Sequence, residues 1–408
     1  MATIAGRERV LRQPFGLGQK SVASETVDSG HYLDTQKPSV LLIDYAQQVE
    51  PTDNLPFEDL HPVLLGLFGE VGSIMSTAKK LRREGDAFAG YRQAVIEEFG
   101  DALWYLAAIC RRMKVGIDQV FPEAIRAEKY EGVLVAGDTP DWPVDIANRG
   151  KPISHLDSVL LKLGEATAAL LTVKANPSDP RNVLLSFVKC YLVGLQAAGI
   201  TLRQVVEYNI GKTRGRFLMP DPNTLPTFDE EFEAEEQIPE YFEMRVVQRK
   251  SGNIAIQWNG VFIGEPLTDN IRDEDGYRFH DVFHFAHASI LHWSPTFRSL
   301  IKHKRKSNPK LDEAQDGGRA IVVEEGLTAW IFSRAKQFGF FAGHSGISFD
   351  LLKTVQQFVS GYEVEACPLK LWEDAILQGY EVFRKVQDHN GGTVIGDRKA
   401  RRVSYRLS

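Results

Sequence analysis

The sequence predicts a mainly α-helical protein: an all-α bundle over the first half, then an α+β, mostly helical C-terminal region. Three observations carry that expectation. Apolar residues recur at helical spacing through residues 39–130 and again through 155–217. Strict alternation is confined to two stretches, Phe242 to Gln248 and Ile254 to Ile263, around Lys250-Ser251-Gly252-Asn253. Between the helical and mixed parts lies an acidic, proline-rich stretch, residues 220–240.

At 408 residues the chain exceeds one compact core and should hold two or three domains. Its net charge of −6 gives no general electrostatic reason to bind nucleic acid, although local basic patches keep that partner open. Cys110, Cys190 and Cys367 are widely spaced and odd in number, so no disulfide framework is expected and a reducing, cytoplasmic setting is. No apolar run approaches a membrane span, so no membrane association is expected.

Residues 1–36 lack a strong hydrophobic pattern and read as a flexible arm. The first helical domain, 37–136, has its first break at Lys80 to Gly90, then a helix from about Tyr91 to Met113 closed by Gly116. A shorter amphipathic segment follows, Ile117 to Tyr130, and Gly137 to Pro143 reads as a linker. In 137–219 the pattern recurs: Gly164-Glu165 echoes Gly69-Glu70, and Gly199-Ile200 echoes Gly116-Ile117. An internal repeat of helical hairpins is the economical reading. Residues 220–240 read as a linker or draped connection, and 241–408 as the C-terminal domain. There, helical patterns cover Gly276 to Leu291, Ala320 to Phe338, Asp350 to Phe358 and Lys370 to Val386.

The chemistry-bearing residues of the first half are acidic. Glu98 and Asp101 lie three apart on one helical face. Glu70 sits on another helix, whose apolar positions Leu64, Leu65, Leu67, Phe68, Val71, Ile74 and Met75 mark a packing stripe. Carboxylates aimed into a bundle are costly to bury unless a cation neutralises them, and oxygen ligands of this kind suit Mg²⁺.

LLGLFGEVGSIMSTAKK followed by EEFGDALWYLAAICRRMKVGIDQVF resembles the MazG-like all-α nucleotide pyrophosphohydrolases, over roughly residues 60–130. The family's motifs are Glu-x-x-Glu and Glu-x-x-Asp; here they read Glu70-x-x-Ser73 and Glu98-x-x-Asp101, so Ser73 stands where a carboxylate is expected. The resemblance implies Mg²⁺ (or Mn²⁺) bound by Glu70, Glu98 and Asp101, and nucleoside triphosphates cleaved between the α and β phosphates. Glu98 or Glu97 would orient the attacking water; the alternative for Glu97 is a solvent-facing charge. Lys79 and Lys80 either receive the phosphate tail or form a solvated helix end.

The second repeat lacks the acidic set but ends in Asn209-Ile210-Gly211-Lys212 with Arg216, similar to the basic ending of MazG-like domains. It either completes one composite site with Asn209, Lys212 and Arg216 or serves only as packing. Family members pair their protomers, so a homo-oligomer is also expected.

In the C-terminal region His280, His284 and His287 share one helical face. With Glu324 or Glu325 they form either a transition-metal site or a hydrogen-bonded polar seam. This region looks similar to a domain that accompanies some tandem MazG-like proteins. The basic runs Lys302 to Lys306 and Arg398 to Arg406 either contact phosphates or are exposed charge. The expectation for the whole chain is a nucleotide pyrophosphohydrolase. The alternatives are a non-hydrolysing nucleotide sensor and a separate metal enzyme in the C-terminal region.

Overall fold

The computed structural model describes residues 41–127, 156–172, 180–269, 272 and 274–407. The arm at 1–36 and the Gly137 to Pro143 linker lie outside them. The chain from Val40 onward is one compact unit holding two hydrophobic cores.

The first core is a helical bundle: α1 (Leu42–Val49), α2 (His61–Glu84), α3 (Tyr91–Arg112), α4 (Ile117–Ala127), α5 (Leu156–Leu171), α6 (Pro180–Ala197) and α7 (Leu202–Phe217). Pro62 in the first turn of α2 costs no hydrogen bond there, and Gly85 closes the helix with φ 53°. That helix therefore runs five residues into the expected break. Val63, Leu64, Leu67, Val71 and Ile74 face the core, but Leu65 and Phe68 point outward, so the expected apolar stripe is narrower. Thr201 starts α7 with a capping box: it accepts from the Gln204 N–H, and the Gln204 side chain returns the bond. α2 packs on α3 and α5, α3 on α7, and α5 on α6. Among the described residues no single helix is long and apolar enough to cross a membrane.

The second core is α+β. A five-stranded antiparallel sheet, ordered β3-β2-β1-β4-β5, is built from β1 (Tyr241–Gln248), β2 (Ile254–Trp258), β3 (Val261–Leu267), β4 (Gly391–Asp397) and β5 (Arg402–Arg406). Phe242, Met244 and Val246 alternate into the core from β1. The expected second strand, Ile254 to Ile263, is in fact two, because Asn259 and Gly260 both take positive φ (49° and 80°) and turn the chain back.

The helices of this region are α8 (Asp281–Ala286), α9 (Pro295–Ile301), α10 (Pro309–Ala314), α11 (Gly318–Ala335), α12 (Phe349–Phe358) and α13 (Leu369–His389). A π-helical turn, His287–Leu291, extends α8. The acidic stretch is draped onto this core rather than free. Buried Asp229 accepts from Arg298 (2.6 Å), Arg398 (2.7 Å) and the Ile238 N–H (2.8 Å). Each basic run has a paired arginine: Arg305 is fully buried between Asp316 and Glu363, and Arg406 meets Glu243.

Candidate functional site

The α2–α3 hairpin brings Glu70, Glu98 and Asp101 together, with one carboxylate oxygen from each within 4.8 Å of the others. Two glycines allow the approach. A side chain at Gly66 would strike the Tyr105 ring, so its absence lets Tyr105 lie across α2 beside Glu70. A Cβ at Gly100 would sit 3.1 Å from Asn209 Cβ, so α3 and α7 close up at the level of Asp101.

From α7, Lys212 donates to Asp101 (2.5 Å) and Glu97 (3.0 Å), while Asn209 donates to Asp101 (3.3 Å). Tyr45 on α1 donates to the Asn209 carbonyl oxygen (2.8 Å), which leaves the amide nitrogen for Asp101. Asn209 and Lys212 therefore do reach the acidic helix. Glu97 is not a solvent-facing charge. It is buried and accepts from Lys212 and, across from α12, from Lys353 (2.9 Å).

A cavity of about 320 Å³ adjoins this cluster, lined by Glu70, Asp101, Lys212 and Arg216 and by the rings of Trp104, Tyr105 and Phe349. Thr52 at its wall accepts from the Trp104 indole N–H (2.8 Å), which fixes that ring. Arg216 donates to Glu373 (3.1 Å) and to the Ile347 carbonyl (2.8 Å), which ties α7 to the C-terminal region beside the cavity. The Phe349 ring centroid lies 4.8 Å from Lys212 Nζ.

The electrostatics follow the crowding. Burial pushes the Glu70 carboxyl up to about 7, and the charges of Asp101 and Glu98 push the same way. Burial also raises Glu98, helped by Asp101 and Glu97, and raises Asp101 against the opposing pull of Lys212. Glu97 goes the other way: burial opposes its charge, but Lys212 and Lys353 outweigh that and hold it low.

Two expected phosphate ligands stand apart. Lys79 and Lys80 are exposed, and neither lines the cavity. They begin about 14 Å along the helix from Glu70. Lys80 instead sits 4.2 Å from the Phe88 ring. Lys353, Phe349, Tyr45 and Thr52 carried no signal in the sequence; each is an ordinary residue of its own segment and joins the site only through tertiary packing.

His280, His284 and Glu325 gather in the second core, with His287 and Glu324 behind them.

Residues 223–408 match the family model described as the MazG C-terminal domain. That match spans the sheet and α8 to α13; the acidic cluster lies outside it. No curated protein and no solved structure matches the chain.

Proposed function

We propose that the chain hydrolyses nucleoside triphosphates between the α and β phosphates, giving a nucleoside monophosphate and pyrophosphate. Glu70, Glu98 and Asp101 would hold Mg²⁺, with Mn²⁺ as a substitute. The observation that carries this reading is their convergence within 4.8 Å, beside a cavity that also presents two cations and four aromatic rings. An all-carboxylate donor set fits a hard divalent ion. When bound, the ion supplies charge neutralisation on the phosphate oxygens. The resemblance of residues 60–130 and the family match at 223–408 both support nucleotide chemistry.

The remaining work falls to the chain's own side chains. The two helical hairpins are read as tandem repeats that share one site, acids from α2 and α3 and cations from α7. Lys212 exchanges its hold on Asp101 for a phosphate oxygen, and Arg216 presents a guanidinium fork to the same tail. Glu98, on the same face of α3 as Asp101, takes the proton of the attacking water. A water-oxygen-to-phosphorus bond forms, the α–β bridging bond breaks and pyrophosphate leaves. Glu97, tied to two lysines, positions Lys212. Trp104, Tyr105 and Phe349 offer faces for the base.

The test is incubation with each NTP and dNTP plus Mg²⁺, detecting monophosphate and pyrophosphate. Glu98→Gln and Asp101→Asn should each lower turnover by about a hundredfold or more. Release of orthophosphate instead would refute the bond assignment. Ser73, in place of a fourth carboxylate, favours a second reading, a nucleotide sensor. That reading requires nucleotide-dependent stabilisation with no product.

A further inference from the structure

We propose that His280, His284 and Glu325 form a binding site for a divalent transition ion, with Zn²⁺ the foremost candidate. The site lies in the α+β core, separate from the carboxylate cluster, and does not depend on the hydrolase reading.

The tautomers come first. His280 Nδ1 lies 2.9 Å from the Tyr277 carbonyl oxygen, which can only accept. Nδ1 therefore carries the proton, and Nε2 of the neutral ring keeps its lone pair. The Tyr277 ring stacks on His280 at 4.4 Å and fixes its plane. His284 Nδ1 and His287 Nδ1 lie 3.0 and 2.9 Å from Glu324 Oε1, another acceptor. His280 and His287 thus have Nδ1 hydrogen-bonded to an oxygen acceptor, the outer arrangement that orients a metal-ligating histidine, whereas His284 Nδ1 lies near one without a bond to it. Glu324 itself cannot swing away, since the Ser294 hydroxyl (2.8 Å) and the Thr296 N–H (3.0 Å) hold it.

The spacing comes next. His284 Nε2 lies 3.3 Å from Glu325 Oε1, and His280 Nε2 lies 3.5 Å from Glu325 Oε2. Two ligands on one tetrahedral ion, with bonds of about 2.0–2.1 Å, stand about 3.3 Å apart. Asp281 adds an oxygen within 4.8 Å of ligand atoms from both histidines.

The bland account is an imidazolium at His284 donating to Glu324 and Glu325. It requires two aligned N–H bonds, yet neither ring nitrogen of this fully buried side chain has a hydrogen-bond partner. The nitrogens are near oxygens without pointing at them. An ion placed between the donors removes that mismatch.

Two imidazole nitrogens and a carboxylate favour a borderline ion over Mg²⁺. Glu325 is 37% exposed, so the cluster opens to solvent at its rim, which gives an ion a route in and leaves a coordination position for water.

The experiment uses the full chain without a histidine tag. Metal content is measured by elemental mass spectrometry. The stripped protein is then titrated with Zn²⁺ against a chromophoric chelator in excess Mg²⁺, with Tm read in parallel. Stoichiometric Zn²⁺ that raises Tm is expected in the wild type and in Glu98→Gln. Both effects should be lost in His280→Ala and in Glu325→Gln. The latter lies at the rim and so leaves the core packing intact. No Zn²⁺ binding by the wild type, or equal binding by the two variants, would overturn the site.

Discussion

Lys353 on α12 donates to Glu97 on α3 over 2.9 Å, joining the C-terminal region to the acidic helix across 256 positions of chain. The same carboxylate oxygen accepts from Lys212 on α7. Glu97 is thus the point at which all three parts of the proposed site are tied together.

Because the Lys353 side chain is 42% exposed, its pair with Glu97 contributes at most about 1 kcal/mol. Lys353→Ala should therefore unfold within a few degrees of the wild type. If Glu97 positions Lys212, the same variant should lower kcat/KM by about fivefold. Thermal melts and steady-state kinetics measure both, and a kcat/KM identical to wild type argues against the positioning role.

Removal of Lys212 leaves Asp101 and Glu97 with one cation fewer in a poorly hydrated place. Lys212→Ala should cost about 3 kcal/mol in metal-free buffer, at the low end for a broken buried pair because 14% of the side chain stays exposed. Mg²⁺ should recover part of that loss. Turnover should not recover. Denaturant titrations with and without Mg²⁺ give the comparison, and unchanged turnover in the folded variant would sink the composite site.

Glu70 supplies the pH dependence. Burial first, then Asp101 and Glu98, raise its folded-state pKa from 4.5 to about 7, so between those values the folded protein holds a proton that the unfolded chain releases. Its contribution to metal-free stability is thus present below about pH 4.5 and lost as pH rises through about 7. Tm in chelator-treated buffer should fall over this range more for the wild type than for Glu70→Gln. Identical slopes would show that Glu70 is not raised.

Arg305 tests the C-terminal core. Its guanidinium is fully buried and donates to Asp316 (2.7 Å), Glu363 (2.7 Å) and the Phe228 carbonyl (2.8 Å). Arg305→Met strands two carboxylates and should cost about 3–5 kcal/mol, read by urea unfolding. A loss under about 1 kcal/mol would mean that water replaces the guanidinium.

The bundle helices were legible because their apolar period is long and repeated; α3 was expected at Tyr91 to Met113 and runs Tyr91–Arg112. The strands at the far end were not. β4 opens with Gly391 and Gly392 and is buried along most of its length, so it shows no alternation. β5 is rich in arginine and read as a charged tail because its partner Glu243 lies 163 residues away. The Asn259-Gly260 turn was legible in principle, but the alternation on both sides runs through it. Within the candidate site the local acidic spacing was visible, whereas Lys353 and Phe349 are placed by packing between cores that no local pattern encodes.

The sheet order has a consequence for biosynthesis. β1 pairs on one side with β2, its neighbour in sequence, but on the other with β4, which emerges from the ribosome more than a hundred residues later. The helical bundle can condense early, while the sheet waits for its fourth strand with one edge of β1 unsatisfied. Lys353 and Phe349 belong to that late half, so the acidic helices exist for a time as an uncapped nascent domain before their lid arrives.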